Sequence, residues 1–440
     1  MSWRTYKFGD FLHRSKISID IEDNKEYKRV TIKTKHQGVS VRDSEKGKKI
    51  GTKKQFVLKA GQFVLSKIDA RYGAFGIAPD EVEGAIITGN FWAYDVDFSI
   101  INIEWFNKFT NSQDFYDVCE RASSGITHRK YLNEVFFLNY EIELPSVNEQ
   151  LEIVEEFKKI KIILEDQATQ LTHQLDLVKQ LRQAFLREAM QGKLVPQDPN
   201  DEPASVLLEK IKAEKERLIK EGKIKKQKPL PPITAEEIPF EIPENWVWCK
   251  IGDISSSIVP NRDKPKSFSG TIPWITQTNF SEKSIKLDYS VNDIGLNLEE
   301  IKKYNCRVMP KGSIVMSCVG RFDLVCFIDK DIVANQQLHC FTPIIKTMSM
   351  YLVYGIKLLN IEVAKTAIHT TIKYLNKTKI ESIPIPLPPL SEQQRIVSQL
   401  DELMQYCDAL EASIKASQQQ NELLLQQVLR EALEPKKMKA

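Results

Sequence analysis

Residues 385–397 read IPLPPLSEQQRIV, and residues 142–154 read IELPSVNEQLEIV. The two stretches lie 243 positions apart, and both place Leu-Pro ahead of a Glu-Gln pair and an Ile-Val pair. A proline followed by a polar residue and an acidic first turn is typical of the beginning of a helix. Two matching helix starts in one chain predict that one structural unit occurs twice.

The same spacing recurs on both sides of these stretches. Gly9-Asp10 returns as Gly252-Asp253, and the tetrapeptide KYLN occurs at residues 130–133 and again at 373–376. LREA closes each half, at residues 186–189 and 429–432. Two copies of one unit can be related by an approximate two-fold axis, as the protomers of a homodimer are. Such a chain suits a target that itself has two parts.

A long helix is predicted after each Leu-Pro, because Pro and Gly are absent from residue 146 to about 191 and from residue 391 to about 433. Apolar residues recur there at steps of three and four. The predicted apolar stripes are Ile153, Phe157, Ile160, Leu164, Leu171, Val178, Leu181 and Phe185 in the first helix, and Ile396, Leu400, Leu403, Cys407, Leu410, Ile414, Leu424 and Val428 in the second. We expect the helices to pack as an antiparallel coiled coil with pseudo-two-fold symmetry, although stripes that merely fill a core explain the same pattern. A polar contact, a partner or solvent is expected where residues 418–421, QQQN, interrupt the second stripe.

These features predict an α+β fold with two α/β domains in tandem, each followed by a long helix. The predicted boundaries are 1–144 for the first domain, 145–191 for the first long helix, 192–243 for a charged helix and Pro-rich linker, 244–387 for the second domain and 388–435 for the second long helix. Short β-rich runs such as residues 63–65 and 314–316 favour strands in both domains. The lysines at residues 223–228 either contact phosphate or belong to a solvated linker.

Several classes of function are disfavoured by what the sequence lacks. No apolar run approaches the roughly 18 residues of a membrane span and the N-terminus lacks a signal peptide, so a cytoplasmic protein without a membrane partner is expected. The seven cysteines and six histidines do not have zinc-ligand spacing, so no metal site is expected. Phosphate-binding loops, nucleophile elbows and zinc-protease helices are absent, so we expect no catalytic residues.

Basic residues are concentrated near the N-terminus. Residues 28–59 contain eleven basic residues against two acidic ones, a net charge of +9. Such a stretch would release counterions from a nucleic-acid backbone, and glutamines within it could read base edges, although a solvated loop is the alternative. The candidate contacts in this stretch and in the loop that follows it are Lys33, Lys35, Gln37, Arg42, Lys48, Lys49, Lys53, Lys54, Lys67, Arg71 and Tyr72.

The second domain is less basic, so its binding surface should differ. Its candidate contacts are Asn279, Arg321, Gln336 and Gln337, of which the amides suit adenine. The repeated tetrapeptide adds Lys130, Tyr131, Lys373 and Tyr374. These four either contact phosphates or belong to a strand that maintains the fold, and the sequence leaves both interpretations open.

In combination, these features resemble the specificity subunits of type I restriction-modification systems. The resemblance rests on residues 385–397, their degenerate copy at 142–154, the stretch at 67–76 and the Asn245-Trp246 pair that begins the second half. It implies that each domain is a target recognition domain reading one part of a split double-stranded DNA sequence. It also implies that the helices set the gap between the two parts.

The resemblance implies further partners and cofactors. Two modification subunits would dock on the helices and methylate adenine with S-adenosylmethionine, and two restriction subunits would use ATP and Mg, while this chain would hold no cofactor. Its function would then be sequence-specific recognition of bipartite DNA, without catalysis. The alternatives are a two-headed coiled-coil scaffold without DNA specificity and a stand-alone nuclease or methylase. Salt-dependent, sequence-specific binding to duplex DNA would separate the leading hypothesis from the scaffold.

Overall fold

The computed structural model describes residues 3–124, 130–260, 264–281, 284–291, 293–366 and 375–433. The chain divides into two compact units. The first unit comprises residues 1–172 and 415–440, and the second comprises residues 173–414. Within the described stretches, no helix has the length and apolar character needed to cross a membrane.

The first unit is rich in short strands. They are β1 (Arg4–Lys7), β2 (Leu12–Ser15), β3 (Ser18–Asp20), β4 (Glu26–Ile32), β5 (Val39–Lys46), β6 (Lys54–Val57), β7 (Phe63–Ser66), β8 (Phe75–Ile77), β9 (Ile86–Ile87), β10 (Phe91–Val96), β11 (Ser123–Ser124), β12 (Tyr131–Leu132) and β13 (Glu141–Leu144). Its helices are α1 (Phe8–Phe11), α2 (Ile103–Phe109), α3 (Gln113–Arg121), α4 (Glu134–Leu138) and the first part of α5 (Val147–Met190). The two larger sheets have the strand orders β2-β10-β7-β8 and β3-β6-β9-β4-β5, and β1 pairs with β13.

Aromatic side chains fill the core between the first of these sheets and the helices α2 and α3. The ring of Phe115 lies 4.8 Å from that of Phe75 and 6.0 Å from that of Phe63, in both cases edge to face. Such pairs add about 0.5–1.5 kcal/mol each beyond the burial of their area. Because β7 and β8 carry two of these rings, the loop between them begins and ends in a rigid part of the unit.

The second unit has the same character. Its strands are β14 (Val247–Lys250), β15 (Ser255–Ile258), β16 (Ile272–Ile275), β17 (Gly295–Leu296), β18 (Val308–Met309), β19 (Ile314–Ser317), β20 (Val325–Phe327), β21 (Ile332–Ala334), β22 (Leu338–Pro343) and β23 (Pro384–Leu387). Its helices are α6 (Ala204–Lys220), α7 (Ile251–Ile254), α8 (Leu298–Lys303), α9 (Ser349–Thr366), α10 (Lys377–Glu381), residues 173–190 of α5, and α11 (Leu390–Leu433) as far as residue 414. The larger sheets have the orders β15-β22-β19-β20 and β17-β16-β21-β18, and β14 pairs with β23.

Apart from β3, which has no counterpart among the described strands of the second unit, the larger sheets of the two units share one topology. The sheet β2-β10-β7-β8 corresponds to β15-β22-β19-β20, and β6-β9-β4-β5 corresponds to β18-β21-β16-β17, with one parallel pair in each. The registers agree as well, because Arg4 pairs with Leu144 in one unit and Val247 pairs with Leu387 in the other. The predicted tandem repeat of α/β domains, each followed by a long helix, is confirmed.

The spacing between equivalent residues is constant only at the ends of each unit. It is 243 positions at β2 and β15, but Ser66 at the end of β7 corresponds to Ser317 at the end of β19, 251 positions later. It returns to 243 at α4 and α10. The absence of a net insertion in the sequence therefore hides insertions and deletions that cancel within the domains.

The long helices show a seven-residue spacing of buried positions. Phe157, Leu164, Leu171 and Val178 are buried in α5, and their repeat equivalents Leu400, Cys407, Ile414 and Asn421 are buried in α11. A seven-residue repeat is typical of a coiled-coil seam. The predicted stripe positions Leu181, Leu410 and Leu424 are wrong, because these side chains are 38–48% exposed.

Within each unit the two helices run antiparallel. In the first unit the Asn421 side chain donates to the carbonyl of Leu164 at 2.8 Å, and Gln418 reaches Thr172 at 3.5 Å. In the second unit Arg182 pairs with Asp408 at 2.6 Å. The polar contact predicted at residues 418–421 is thus made by Asn421, between the helices.

Residues 192–243, which we call the covering segment, pack onto the second unit. Leu207 and Ile211 of α6 are buried in its core, and the Gln227 amide donates to Glu381 at 2.7 Å. Leu230 packs closely against Gly252. A β-carbon added to Gly252 would lie only 2.7 Å from the Cδ1 atom of Leu230. In the described part of the first unit, no segment covers the equivalent Gly9 in this way.

Candidate nucleic-acid interface

The loop between β7 and β8, residues 67–74, is held by three backbone hydrogen bonds. Ser66 N donates to Ala74 O at 2.9 Å, and Lys67 N donates to Asn90 O at 2.9 Å. Leu132 N, from the repeated KYLN tetrapeptide, donates to Lys67 O at 2.7 Å. The carbonyl and the amide of Lys67 are therefore both fixed, and its side chain leaves the loop from a defined point.

The loop between β19 and β20, residues 318–324, is held in the same way. Ser317 N donates to Leu324 O, Cys318 N donates to Gln337 O and Leu375 N donates to Cys318 O, each at 2.9 Å. Every donor and acceptor is the repeat equivalent of one in the first unit. Cys318 therefore occupies the position that Lys67 occupies in the first unit.

In the first unit the turn between β4 and β5 lies against this loop. Lys35 N donates to Tyr72 O at 2.7 Å, and His36 N donates to Gly73 O at 2.9 Å. A β-carbon on Gly73 would lie 2.8 Å from the His36 nitrogen, so this approach requires glycine. The predicted contacts Lys33, Lys35 and Gln37 on the turn, all exposed, are thus brought beside Arg71 and Tyr72.

Aromatic rings lie beside two of these cations. The Arg71 guanidinium lies 4.6 Å from the centre of the Tyr72 ring, which is 52% exposed. The Lys67 ammonium lies 5.7 Å from the ring of Tyr131, which is 43% exposed. Flat, exposed rings beside cations can contact sugars and phosphates of DNA. These residues form one surface together with the turn, and we call Lys33, Lys35, Gln37, Lys67, Arg71, Tyr72 and Tyr131 the first-unit surface.

The repeated tetrapeptide has a structural role in both units. Leu132 and Leu375 are buried, while the side chains of Asn133 and Asn376 cap α4 and α10 by accepting from Phe136 N and Lys379 N. The Lys130 ammonium is paired with Glu120 at 2.8 Å, which reduces its availability to phosphate. The predicted contacts Lys373 and Tyr374 lie outside the described residues.

The basic stretch at residues 28–59 does not form one surface. Lys48, Lys49, Lys53 and Lys54 lie at the opposite end of the β4–β5 hairpin from its turn. The seven residues of β4 separate the two ends by about 20 Å.

Acidic residues surround that far end of the hairpin. The Lys53 ammonium lies 2.6 Å from Asp23, and that of Lys49 lies 3.4 Å from Glu45. Lys54 stands opposite Asp20 in the register of the strands β6 and β3. The predicted contact Arg42, on β5, lies 3.4 Å from Asp43. Local acids therefore offset much of the charge that the sequence count suggested.

Asn279 does not reach the surface of the second unit. It is fully buried, its Oδ1 atom accepts from Thr276 N at 2.9 Å, and its Nδ2 atom donates to Asp288 O at 2.9 Å. The prediction that Asn279 contacts a base is contradicted by this geometry, because its amide already satisfies the backbone of its own domain.

The other predicted residues of the second unit are exposed beside its loop. Gln336 and Gln337 follow β21, and the Gln337 carbonyl holds Cys318 as described. The Arg321 guanidinium pairs with Asp323 through two contacts of 2.6 and 2.9 Å. Arg321 keeps the pKa of the Asp323 carboxyl below its ordinary value, so this pair carries no net charge.

Two positioning residues were missed by the sequence reading. His36 holds the turn through its ring, which lies 2.9 Å from the Thr110 hydroxyl and edge to face with Phe75, and burial lowers its pKa. In the second unit Gln277 donates to the Ser317 hydroxyl at 2.7 Å and to Val319 O at 2.8 Å. Only the position of His36 between two candidate contacts could have indicated its role, and no sequence signal indicated that of Gln277.

Among the residues that the structure describes, no group of three or more His, Cys, Asp or Glu side chains could hold a metal ion. The seven cysteines are free thiols. Burial raises the pKa of several of them, including that of Cys318 to about 11.

Comparisons with known proteins agree on one family. A family profile described as the type I restriction modification DNA specificity domain matches residues 243–418. The specificity subunits of the type I restriction enzymes EcoEI and EcoAI, both from Escherichia coli, are 28% and 29% identical to this chain over 381 and 380 residues. These alignments cover 73% of this chain, but it spans only 63% and 62% of the two relatives.

Two solved structures share the fold. One is a chain from work on complex assembly and conformational transition of the type I R-M system, with a TM-score of 0.64 and 16% identity over 98% of this chain and 97% of the other. The second is the HsdS subunit from Thermoanaerobacter tengcongensis, with a TM-score of 0.58 and 16% identity over 98% of this chain and 96% of the other.

Proposed function

We propose that this chain is a type I restriction-modification specificity subunit, as its similarity to that family suggests, and that it recognises a double-stranded DNA target in two parts. Each unit would read one part. The observation that carries the proposal is the identical three-bond frame around Lys67 and Cys318, which presents a loop of different sequence from the same position in each unit. A frame shared by both units, with loops of different sequence, lets two domains of one fold read different bases.

The first-unit surface supports contact with the DNA backbone. It gathers cations and exposed aromatic rings from the β4–β5 turn, the β7–β8 loop and β12. Cations and hydroxyls position a protein on the duplex, while amide side chains such as Gln37, Gln336 and Gln337 are suited to base edges in the major groove.

Catalysis would come from partner proteins. We propose that two modification subunits dock on α5 and α11 and methylate adenine with S-adenosylmethionine, and that two restriction subunits with ATP and Mg complete the assembly in the cytoplasm. This chain would bind no cofactor and catalyse no reaction. The long helices would set the gap between the two parts of the target.

The decisive experiment is methylome sequencing of cells that express this chain with its partner subunits. Methylation at one split sequence with a constant gap is the expected result. The identified duplex is then used in binding measurements with the purified chain at several salt concentrations, because affinities without salt dependence are difficult to interpret. Binding without preference for the split sequence would contradict the proposal and favour a scaffold.

Two further measurements separate the alternatives. Incubation of the chain alone with DNA, S-adenosylmethionine, ATP and Mg should give neither methylation nor cleavage, and either product would indicate a stand-alone enzyme. Deleting four residues from α5 alone shifts everything beyond by roughly 6 Å. It should change the preferred gap or abolish assembly, and if both survive, the helices do not set the gap.

A further inference from the structure

We propose that the surface that anchors DNA phosphates is confined to the first unit, so that salt-dependent binding is concentrated on the part of the target which that unit reads. The inference rests on the proposed function and adds that the two units contact the DNA backbone to different extents. It follows from comparing equivalent positions in two copies of one frame.

The equivalence is defined by the backbone. The amides of Lys67 and Cys318 each donate to the residue that directly precedes the neighbouring strand, β10 in the first unit and β22 in the second. Their carbonyls each accept from the leucine of the repeated tetrapeptide. The segment after β4 bonds to the first loop through the backbone amides of Lys35 and His36, whereas the segment after β16 bonds to the second loop through the side chain of Gln277. The residues of the two frames can therefore be compared one by one, and each frame has a neighbouring segment that contacts its loop.

The first unit has cations at these places. The backbone of Lys67 makes two of the three hydrogen bonds that hold the β7–β8 loop, and Arg71 lies further along that loop. Lys33 and Lys35 lie on the adjoining β4–β5 turn. Within the described chain, Lys33, Lys35 and Lys67 have no carboxylate within ion-pair distance. The nearest acid in the loop, Asp69, accepts instead from the Ser66 hydroxyl at 3.3 Å.

The second unit has neutral groups at the same places. The Cys318 thiol lies 3.0 Å from the carbonyl oxygen of Gln337, and burial raises its pKa to about 11, so it is uncharged near neutral pH. The uncharged Gln277, which follows β16, contacts this loop by donating to the Ser317 hydroxyl at 2.7 Å. Arg321 is the cation of this loop, and Asp323 neutralises it.

The difference has a measurable consequence. Each phosphate contact by Lys or Arg contributes about 0.9 to the slope of log affinity against log salt concentration. Three such contacts, by Lys33, Lys35 and Lys67, would contribute roughly 2.7. A neutral loop that reads bases through amides contributes little to the slope, since no counterion is released.

The test uses the full chain and the duplex identified by methylome sequencing. The slope is measured for this duplex and for two variants, in which the phosphates of one or the other part of the target are replaced by uncharged methylphosphonates. We expect the duplex that keeps the phosphates of the first unit's part to retain nearly the whole slope. Equal slopes for the two substituted duplexes would overturn the inference, whereas equal affinity for the identified duplex and a duplex of scrambled sequence would overturn the proposed function instead.

Substitutions locate the charge. Lys67→Gln should lower the slope by about 0.9, so that the ratio of affinities at 50 and 200 mM salt falls about threefold to fourfold. Lys54→Gln, at the far end of the hairpin and opposite Asp20, is the matched control and should leave the slope unchanged. An equal effect of both changes would place the anchor elsewhere on the unit and overturn the assignment.

A gain of charge in the second unit completes the test. Asp323→Asn removes the carboxylate that neutralises Arg321 and should raise the slope by up to about 0.9, chiefly on the duplex that keeps the second unit's part. An unchanged slope in a variant with an unaltered melting temperature would mean that this loop does not approach phosphate. That result would contradict the equivalence of the two loops on which the inference depends.

Discussion

The two units have the same frame and different surroundings. Trp246 is buried, and its indole nitrogen donates to Glu392 at 2.9 Å, whereas the equivalent Trp3 is only partly buried. Lys250 is 2% exposed and the equivalent Lys7 is exposed. The covering segment accounts for these differences, because it packs on the second unit. Identical topology therefore does not give identical burial, and equivalent residues should respond differently to substitution.

The largest expected effect tests this difference at the tryptophans. Trp246→Ala should destabilise the second unit by about 3–5 kcal/mol, because it leaves a cavity and removes one of the two hydrogen bonds that the buried Glu392 carboxylate accepts. Trp3→Ala should cost clearly less in the first unit. Hydrogen exchange, which reports the stability of each unit separately, provides the measurement. Equal losses at the two positions would show that the covering segment adds little.

The equivalent glycines Gly252 and Gly9 provide a second test. Gly252→Ala should destabilise the second unit by about 1–3 kcal/mol, because a β-carbon would lie 2.7 Å from Leu230 and 3.0 Å from Glu381. Gly9→Ala should have a smaller effect, since the nearest atom there, Leu138 O, would lie at 3.2 Å.

The readout for the glycines is tryptic cleavage at the lysines of the covering segment, together with thermal unfolding. Faster cleavage in Gly252→Ala than in Gly9→Ala is expected, because only the first change displaces Leu230. If neither substitution alters the cleavage rate, the segment is not held at Gly252.

A third test exchanges residues along the helix seam. Asn421 is buried with its Oδ1 atom unpartnered, and its equivalent in α5 is Val178. Asn421→Val should stabilise the chain by about 1–2 kcal/mol, because an unsatisfied buried acceptor is removed. Val178→Asn should destabilise it by about 1–3 kcal/mol.

Thermal unfolding measures both seam variants. Asn421 can also fix the register of the helices, as a single buried Asn does in other coiled coils. A stabilised Asn421→Val that no longer binds the split target would support that role, and a destabilised one would show that the contact with Leu164 outweighs the unsatisfied oxygen.

The smallest effect concerns pH. Glu392 and Glu149 are equivalent, but burial raises the pKa of Glu392 while hydrogen bonds from Ser146 lower the pKa of Glu149. A raised pKa in the folded state contributes stability below the ordinary value of 4.5 that is lost as pH rises through the folded pKa. A lowered pKa contributes stability above 4.5 that is lost as pH falls.

Substitution by glutamine should therefore have opposite effects at these two positions. Above pH 4.5, Glu392→Gln should be more stable than the wild type and Glu149→Gln less stable, while both differences should shrink below it. Urea unfolding across this range measures both. A shared direction above pH 4.5 would contradict the opposed environments.

The sequence predicted some residues of the candidate DNA-binding surface correctly and placed others wrongly. Lys67, Arg71 and Tyr72 were identified from their types alone, and the structure brings them together with Lys33 and Lys35. Asn279 was identified by the same reasoning and is buried, because residue type does not reveal that an amide is used by its own backbone. Nearness in sequence suggested that the turn shares one surface with Lys48, Lys49, Lys53 and Lys54. These four lysines instead lie at the end of the β4–β5 hairpin opposite the turn.

The sequence by itself determined the duplication, the long helices and the presence of an apolar stripe along each of them, since these depend on local patterns repeated at a constant distance. The tertiary structure alone decided which positions in the two copies correspond between residues 66 and 133, because insertions that cancel leave no trace in the overall spacing. It also decided which charges are compensated and which unit is covered. These properties depend on contacts between residues far apart in the chain, which no local pattern records.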